Sequence, residues 1–321
     1  MRTVALTYTA PRQAELREWP QPAMSDAMVR VRTLFSGLSR GTERLIFEGR
    51  VPESEHDIMR APFQQGDFPF PVAYGYAAVS LVEEGPDDLV GRQIFSLSPH
   101  QEQACLPVDA VLPLPADVPA SRAILAANME TAVNAIWDAS PKPGSRVAIV
   151  GAGLLGCLIA GLLSARGDLS VSVVDVLPQR SATLSDFHVS FISTTERMDP
   201  VETVFHTSAS DAGLQTAIEM LAFEGQVIEL SWFGSRMVSL DLGGAFHSKR
   251  LTIKGSQVGQ VAKVRRASTT YRDRLAQAIG HLSDPRFDAL ITEEVAFENL
   301  PAELPRLLGE GAAGIATRIR Y

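Results

Sequence analysis

The sequence predicts an α/β protein: a doubly wound parallel sheet joined to a separate β-rich domain. Three observations predict it. Residues 1 to about 115 are short apolar runs cut by Pro, Gly and Asp. From 146 to 257, apolar strands alternate with helical segments. That alternation opens on VAIVGAGLLG, a strand running into a glycine turn and a helix. Short strands at close spacing indicate a barrel or sandwich. Strands alternating with helices indicate a parallel sheet covered on both faces.

The β-rich part consists of TVALTYT, AMVRVRTLFSG, FPVAYGYAAVSLVEEG, RQIFSLSPH and EQACLPVDAVLPLP. The Pro-rich PLPADVP (113–119) ends it, which gives a first domain over 1–118. ASRAILAANMETAVNAIWDA (120–139) reads as one helix with Ser121 as N-cap. RVAIV is a strand, LLGCLIAGLLSARG a helix and SVSVVD a strand. LPQRSATLSDF is a short helix that starts with Pro. VSFI, ETVFHTS, DAGLQTAIEMLAFEG and QVIELSWFG continue as strand, strand, helix, strand, and RLTIKGSQVG closes a second domain at 119–257. The tail, 258–321, adds the helix YRDRLAQAIGHL, the strand ALITEEVAF, a short helix and the strand GIATRIRY, and is expected to return to the first domain.

Composition excludes several functions. The net charge of −8 is not a nucleic-acid footprint. The richest cationic run, KVRRASTTYRDR (263–274), reads as a solvated helix face. Four Lys stand against 25 Arg, a poor supply for Schiff-base chemistry. Cys105 and Cys157 are too few for a zinc cluster or a disulfide framework. Val147 to Ala165 carries no charge over 19 residues. Its three early glycines and the switch from β-branched to Leu and Ala content make it a strand, a turn and a buried helix rather than a membrane span. With no secretory pattern at the start, a cytoplasmic protein is expected.

The glycine turn predicts the cofactor. Gly151 allows the tight turn, Gly153 lets a pyrophosphate approach the backbone, and Gly156 lets helix and strand pack closely. Leu154 and Leu155 open the helix whose free N–H groups and partial positive charge suit phosphate. Asp175 ends the next strand, 19 residues after Gly156, where a carboxylate accepts from ribose hydroxyls and repels a 2′-phosphate. NAD is therefore favoured. Arg180 keeps NADP open, since a nearby Arg holds a 2′-phosphate.

The order of β-rich domain, Rossmann domain and short return resembles the medium-chain dehydrogenase/reductase superfamily over the whole chain. PFPVAYGYAAVSLVEEG resembles its Gly-His-Glu strand pair, and SGLSRGTE its Ser-Gly-x-Cys-x-Ser/Thr-Asp segment. SRGTE is similar to the branch containing 2-desacetyl-2-hydroxyethyl bacteriochlorophyllide a dehydrogenase. The resemblance implies a GroES-like first domain and a homodimer paired through the edge strand near LTIKGSQVG. It implies hydride transfer between a nicotinamide and a secondary alcohol or carbonyl of a small molecule, such as a hydroxyethyl or acetyl group on a flat ring. The cofactor set implied adds Arg40, Thr131, Val176, Thr207, Ser208, Ser231 and Trp232. The basic phosphate contact near the family's C-terminus is replaced by Gly314-Ile315.

The family's catalytic zinc needs three ligands. The matching positions hold Ser39, Tyr76, and Ala127 or Asn128, while Ala77 replaces the motif's Glu and Cys105 stands alone where a four-cysteine lobe is usual. A zinc-free protein is expected. A proton donor must then replace the metal. Tyr76 is the first candidate; its alternative is a ring that plugs the vacated site. Thr42 matches the hydroxyl that relays protons in zinc relatives, or is a turn hydroxyl. Arg40 contacts the pyrophosphate or pairs with Glu43. His100 is a loop residue, either exposed or turned toward substrate. Glu130 is an acid on the cofactor-facing helix, or a capping or pairing residue. His206 and His247 are weaker candidates, and His56, His188 and His281 carry no signal. Two rival functions fit the same motifs: a C=C reductase of the quinone-reductase type, and a catalytically idle dinucleotide-binding scaffold or sensor.

Overall fold

The computed structural model describes residues 2–193 and 198–321. Two compact units divide the chain. The first comprises residues 2–127 with Ile279–Asp284 and Ile291–Tyr321; the second comprises Asn128–Ala278 with Pro285–Leu290.

In the first unit the short apolar runs become strands β1 (Arg2–Ala10), β2 (Gln13–Pro20) and β3 (Met28–Leu38), then helix α1 (Arg40–Phe47). Strands β4 (Gln65–Gly66), β5 (Val72–Ala73), β6 (Ala78–Glu84), β7 (Gln93–Ser96), β8 (Gln103–Pro107) and β9 (Leu112–Pro113) follow, then helix α2 (Ala120–Ala123). The second unit holds α3 (Ala126–Ala139) from Asn128 onward, β10 (Arg146–Val150), α4 (Leu154–Ser164), β11 (Ser170–Asp175), β12 (Ser190–Ser193) and β13 (Val201–His206). It continues with α5 (Asp211–Glu219), β14 (Leu221–Glu229), α6 (Ala245–Ser248), β15 (Thr252–Gly255) and α7 (Tyr271–His281) up to Ala278. Strand β16 (Ile291–Ala296), helix α8 (Leu300–Leu307) and strand β17 (Ala316–Arg320) belong to the first unit again.

The second unit's sheet runs β12-β11-β10-β13-β14-β15, all parallel. Apolar side chains fill its core: Ala148, Val150, Val174, Val204 and Val227 pack with Leu214, Ala217 and Ile218 of α5. The chain walks outward from β10 through β11 to β12, then restarts on the other side at β13. The switch point therefore lies between β10 and β13, where ligands of such sheets bind at the strands' carboxyl ends. The first unit has a sheet of order β2-β1-β5-β4 and a larger one of order β16-β17-β3-β6-β7-β9, with β8 also pairing β3. Val29, Val31, Val82, Ile94, Ala104 and Leu106 form an apolar cluster there.

Six local expectations change. The predicted 120–139 helix breaks at 124–125, where the Ile124 carbonyl lies so close to Gly37 of β3 that a Cβ on Gly37 would come within 2.7 Å of it. Ser121 falls inside α2, whose N-cap is Pro119. The 178–187 segment is a 3₁₀ helix, and the strand expected at 250–259 is only Thr252–Gly255. Helix α5 stops at Glu219 because Leu221 pairs with Val201 in the sheet. The cationic run is no uniform solvated face: 263–268 are exposed turns, whereas Arg274 is 2% exposed. No helix among the described residues is long and apolar enough to cross a membrane, and 147–165 is β10, a turn and α4.

Candidate active site

In the second unit the glycine turn sits where the sequence predicts it. Gly156 is fixed by sterics, since a Cβ there would come within 1.9 Å of the Gly151 carbonyl oxygen. A Cβ at Gly153 would meet nothing within 4 Å, so the backbone there faces open space. Gly153 is also the N-cap of α4, with no side-chain cap on the helix's first N–H groups. Open space beside uncapped donors fits an anionic pyrophosphate. Leu154 and Leu155 form the half-buried first turn.

Asp175 is 7% exposed and is already in use. Its Oδ2 accepts from the Ala152 amide (2.6 Å) and Arg180 Nη1 (3.0 Å), and its Oδ1 from the Leu177 amide (2.8 Å). The carboxylate thus ties the glycine turn to the end of β11 and keeps lone-pair capacity at Oδ1 for a ribose hydroxyl. Arg180 is committed to Asp175, and its Nε is buried with no hydrogen-bond partner among the described residues. Holding a 2′-phosphate would require the guanidinium to leave that carboxylate. Val176, next along, is 73% exposed. Thr207 Oγ1 donates to the Gly151 carbonyl (2.9 Å), which seats the loop after β13 against the turn. Ser208 bonds His206, the Ser231 hydroxyl accepts from the Ala209 amide, and Trp232 lies half-buried in the loop after β14. Thr131 is half-buried on α3.

Glu130 takes the pairing alternative. It is 6% exposed, and its Oε1 accepts from Arg274 Nε at 3.0 Å. Burial pushes its carboxyl up, and the Arg274 charge opposes that. It is not a free acid.

In the first unit Tyr76 lies in the turn between β5 and β6, half-buried. Its phenol oxygen is bonded to the Ser39 hydroxyl and to Thr42 Oγ1 (3.2 Å), both from the start of α1. Tyr74 packs edge-on against its ring at 5.9 Å. Desolvation pushes the phenol up to about 12, with the Glu43 charge adding and the two hydroxyl bonds opposing. Tyr76 is therefore protonated at neutral pH.

His100, expected on a loop, is 0% exposed. Gly75 explains the contact: its φ is +127°, and a Cβ there would press within 2.9 Å of the His100 ring and amide. The imidazole Nε2 faces Glu43 Oε2 at 3.0 Å, and Nδ1 faces Ser36 Oγ at 2.7 Å. Glu43, also 0% exposed, accepts in addition from the Tyr8 phenol (2.8 Å) and the Ser39 amide (2.7 Å). Ser36 continues to the Tyr321 phenol at 3.0 Å. The structure thus brings Tyr76 and Thr42 together and sets His100 behind them, on the carboxylate that holds the start of α1. Arg40 donates to the Ala312 carbonyl (2.9 Å) and lies 3.8 Å from Glu293, while Glu43 has the partners just named.

Sequence reasoning missed Glu43, Tyr8 and Ser36 as members of this network. Only the Ser39–Glu43 spacing, one helical turn, pointed there. It also missed Glu229, which pairs with His206 at 2.6 Å.

The positions that match the zinc ligands of the resembling family carry Ser39, Tyr76, and Ala127 or Asn128. Ser39 and Tyr76 offer only hydroxyl oxygens, and these are bonded to each other. Ala127 has no donor side chain, and its alternative, Asn128, offers only a neutral amide. These residues do not fit a catalytic zinc. Among the described residues no group of three or more His, Cys, Asp or Glu is placed to hold a metal ion.

No family model matches the chain. Solved structures share its fold along its whole length. L-idonate 5-dehydrogenase from Escherichia coli superposes with a TM-score of 0.81 at 14% identity, covering 100% of this chain and 99% of the other. A short chain alcohol dehydrogenase from Escherichia coli, complexed with the cofactor NADH, gives 0.78 at 15% identity with the same coverage of 100% and 99%. TarJ from S. aureus, in complex with NADPH, gives 0.75 at 18% identity, again covering 100% and 99%. At such identities the likeness establishes the fold: a Rossmann doubly wound sheet with a β-rich GroES-like unit.

Proposed function

We propose that the chain is an NAD(P)-dependent oxidoreductase acting on a secondary alcohol or carbonyl, with the Tyr76 phenol in place of a metal. The observation that carries this reading is Tyr76 itself, a neutral phenol held between two hydroxyls at the position where zinc relatives place a ligand. The bound nicotinamide would supply or take the hydride. The turn from Gly151 to Gly156 and the start of α4 would hold its pyrophosphate, and Asp175 a ribose hydroxyl. Negative charge develops on the substrate oxygen in carbonyl reduction, and Tyr76 donates its proton there. Ser39 and Thr42 donate to the phenolate left behind, which takes a proton back from solvent, and the nearby Glu43 charge favours that protonated form. The neighbours with NADH and NADPH support a nicotinamide cofactor. The SRGTE segment supports a hydroxyethyl or acetyl group on a flat ring as the substrate class.

Fluorescence titration tests the cofactor half: NADH should bind more tightly than NADPH. Binding of NADPH about tenfold tighter (about 1.4 kcal/mol) would mean that Arg180 rather than Asp175 governs the site. NADH consumption over ring-bearing ketones and enones tests the chemistry. An alcohol product from a ketone is expected. Reduction confined to the C=C bond of enones would favour the quinone-reductase reading, and no consumption at all the scaffold.

A further inference from the structure

We propose that His206 is a positioning residue of the ligand crevice at the switch point, acting through a clamp on the loop Thr207–Ser210. This rests on the dinucleotide reading above. His206 ends β13, pairs in register with Val150 of β10 on one side and with Glu229 of β14 on the other, and is 0% exposed. It therefore stands beside the glycine turn, at the carboxyl ends where a doubly wound sheet takes its ligand.

The hydrogen bonds around it form one directed row. Nδ1 lies 2.6 Å from Glu229 Oε2 and, more distantly, 3.4 Å from Ser231 Oγ; a carboxylate only accepts, so Nδ1 carries a proton. Nε2 lies 2.7 Å from Ser208 Oγ, Ser208 Oγ lies 3.0 Å from Ser210 Oγ, and Ser210 Oγ accepts from the Gly213 amide at the start of α5. With a neutral imidazole every member is satisfied: Ser210 donates to Ser208, Ser208 to Nε2, and Nδ1–H to Glu229. The order Ser, His, carboxylate is not an open nucleophile. Ser208 Oγ is turned onto α5, so close that a Cβ on Gly213 would come within 2.1 Å of it.

The loop so held is strained. Ala209 has φ +51°, sparsely populated for a residue with a Cβ. Its amide donates to Ser231 Oγ (3.1 Å) and its carbonyl accepts from Arg236 Nη2 (2.7 Å). Ser231 is in turn fixed by its own amide on Glu229 Oε1 (2.7 Å). One carboxylate therefore serves both the histidine and the serine that grips the strained residue. The loop also contacts the turn through Thr207 and Gly151, so a shift in the loop is passed to the backbone that would face the pyrophosphate. Strain kept at such a place is the mark of a preorganised binding rim.

Three measurements decide it. A long-range ¹H–¹⁵N spectrum of ¹⁵N-histidine-labelled protein, with His206 assigned by its loss in His206→Gln, should show a ring that carries a proton on Nδ1. A ring protonated on Nε2 alone overturns the row. NADH titration should weaken about tenfold in Glu229→Gln and in His206→Ala, the order of one lost buried hydrogen bond. Ala209→Gly should raise the melting temperature while weakening NADH binding several-fold, a split that a purely structural clamp would not produce. Wild-type affinity in all three folded variants overturns the proposal. If the wild type binds no dinucleotide, the cofactor reading fails and the crevice role with it, whereas the spectrum still decides the row.

Discussion

Arg274→Met is expected to destabilise the protein by about 3–5 kcal/mol, the range for breaking a buried ion pair from one side. Arg274 is 2% exposed, among the largest fully buried side chains. Its guanidinium bonds Glu130 Oε1 (3.0 Å), Asn134 Oδ1 (2.6 Å) and the carbonyls of Gln260 (3.2 Å) and Val258 (2.5 Å). It also lies over the Tyr271 ring at 5.5 Å. Methionine keeps much of the volume but leaves those acceptors unpaired and a carboxylate buried without its counter-charge. Urea unfolding should show a lower midpoint with an unchanged slope. The pH dependence has a definite sign. Without Arg274, burial alone acts on Glu130 and raises its folded pKa above the unfolded one. A raised pKa gives stability that is present at low pH and lost as pH rises through it. The deficit should therefore be largest at neutral pH and smaller toward the ordinary carboxylate range. Glu130→Gln added to Arg274→Met should recover part of the loss. A single variant within about 1 kcal/mol of wild type, well short of that range, would mean that the pair is not the anchor described.

Tyr76→Phe is expected to lower turnover by at least about 10²-fold, the lower end for a general acid, while NADH binding stays within about twofold by the same reasoning. The ring and its edge-on contact with Tyr74 survive the change; only the hydroxyl held by Ser39 and Thr42 is lost. Desolvation has pushed the phenol up to about 12, so its proton is retained through the neutral and mildly alkaline range. The reduction rate should show no loss from this group below its ordinary value of 10. Stopped-flow NADH consumption at saturating substrate separates the outcomes. Unchanged turnover would make Tyr76 a plug in the vacated metal site and send the search for the donor to Thr42.

The parts legible in sequence were those dictated by local sterics. Gly151, Gly153 and Gly156 announce the turn because each does something a Cβ forbids or would obstruct. The parallel sheet is legible because its central strand RVAIV is buried and apolar and its neighbours SVSVVD and VETVFH are mostly so. What stayed hidden depends on partners far apart in the chain. Glu43 and His100 are 57 residues apart, and Glu130 and Arg274 are 144 apart. A charge run read by composition made Arg274 a solvated residue, although one member of such a run suffices to anchor a core. His100 does lie in a loop between strands, but its burial stayed hidden because nothing local reveals that Gly75 leaves room for its ring. The end of α5 was missed because Leu221 suits a helix by propensity and is claimed by the sheet through Val201.

The central claim, that hydride transfer here proceeds with a phenol and without zinc, is tested most directly by turnover before and after dialysis against a chelator, with zinc counted by ICP-MS in each sample. The account predicts far less than one zinc per chain from the outset and a rate that chelation leaves unchanged. A rate that falls in proportion to the zinc removed, and returns when zinc is added back, would contradict it.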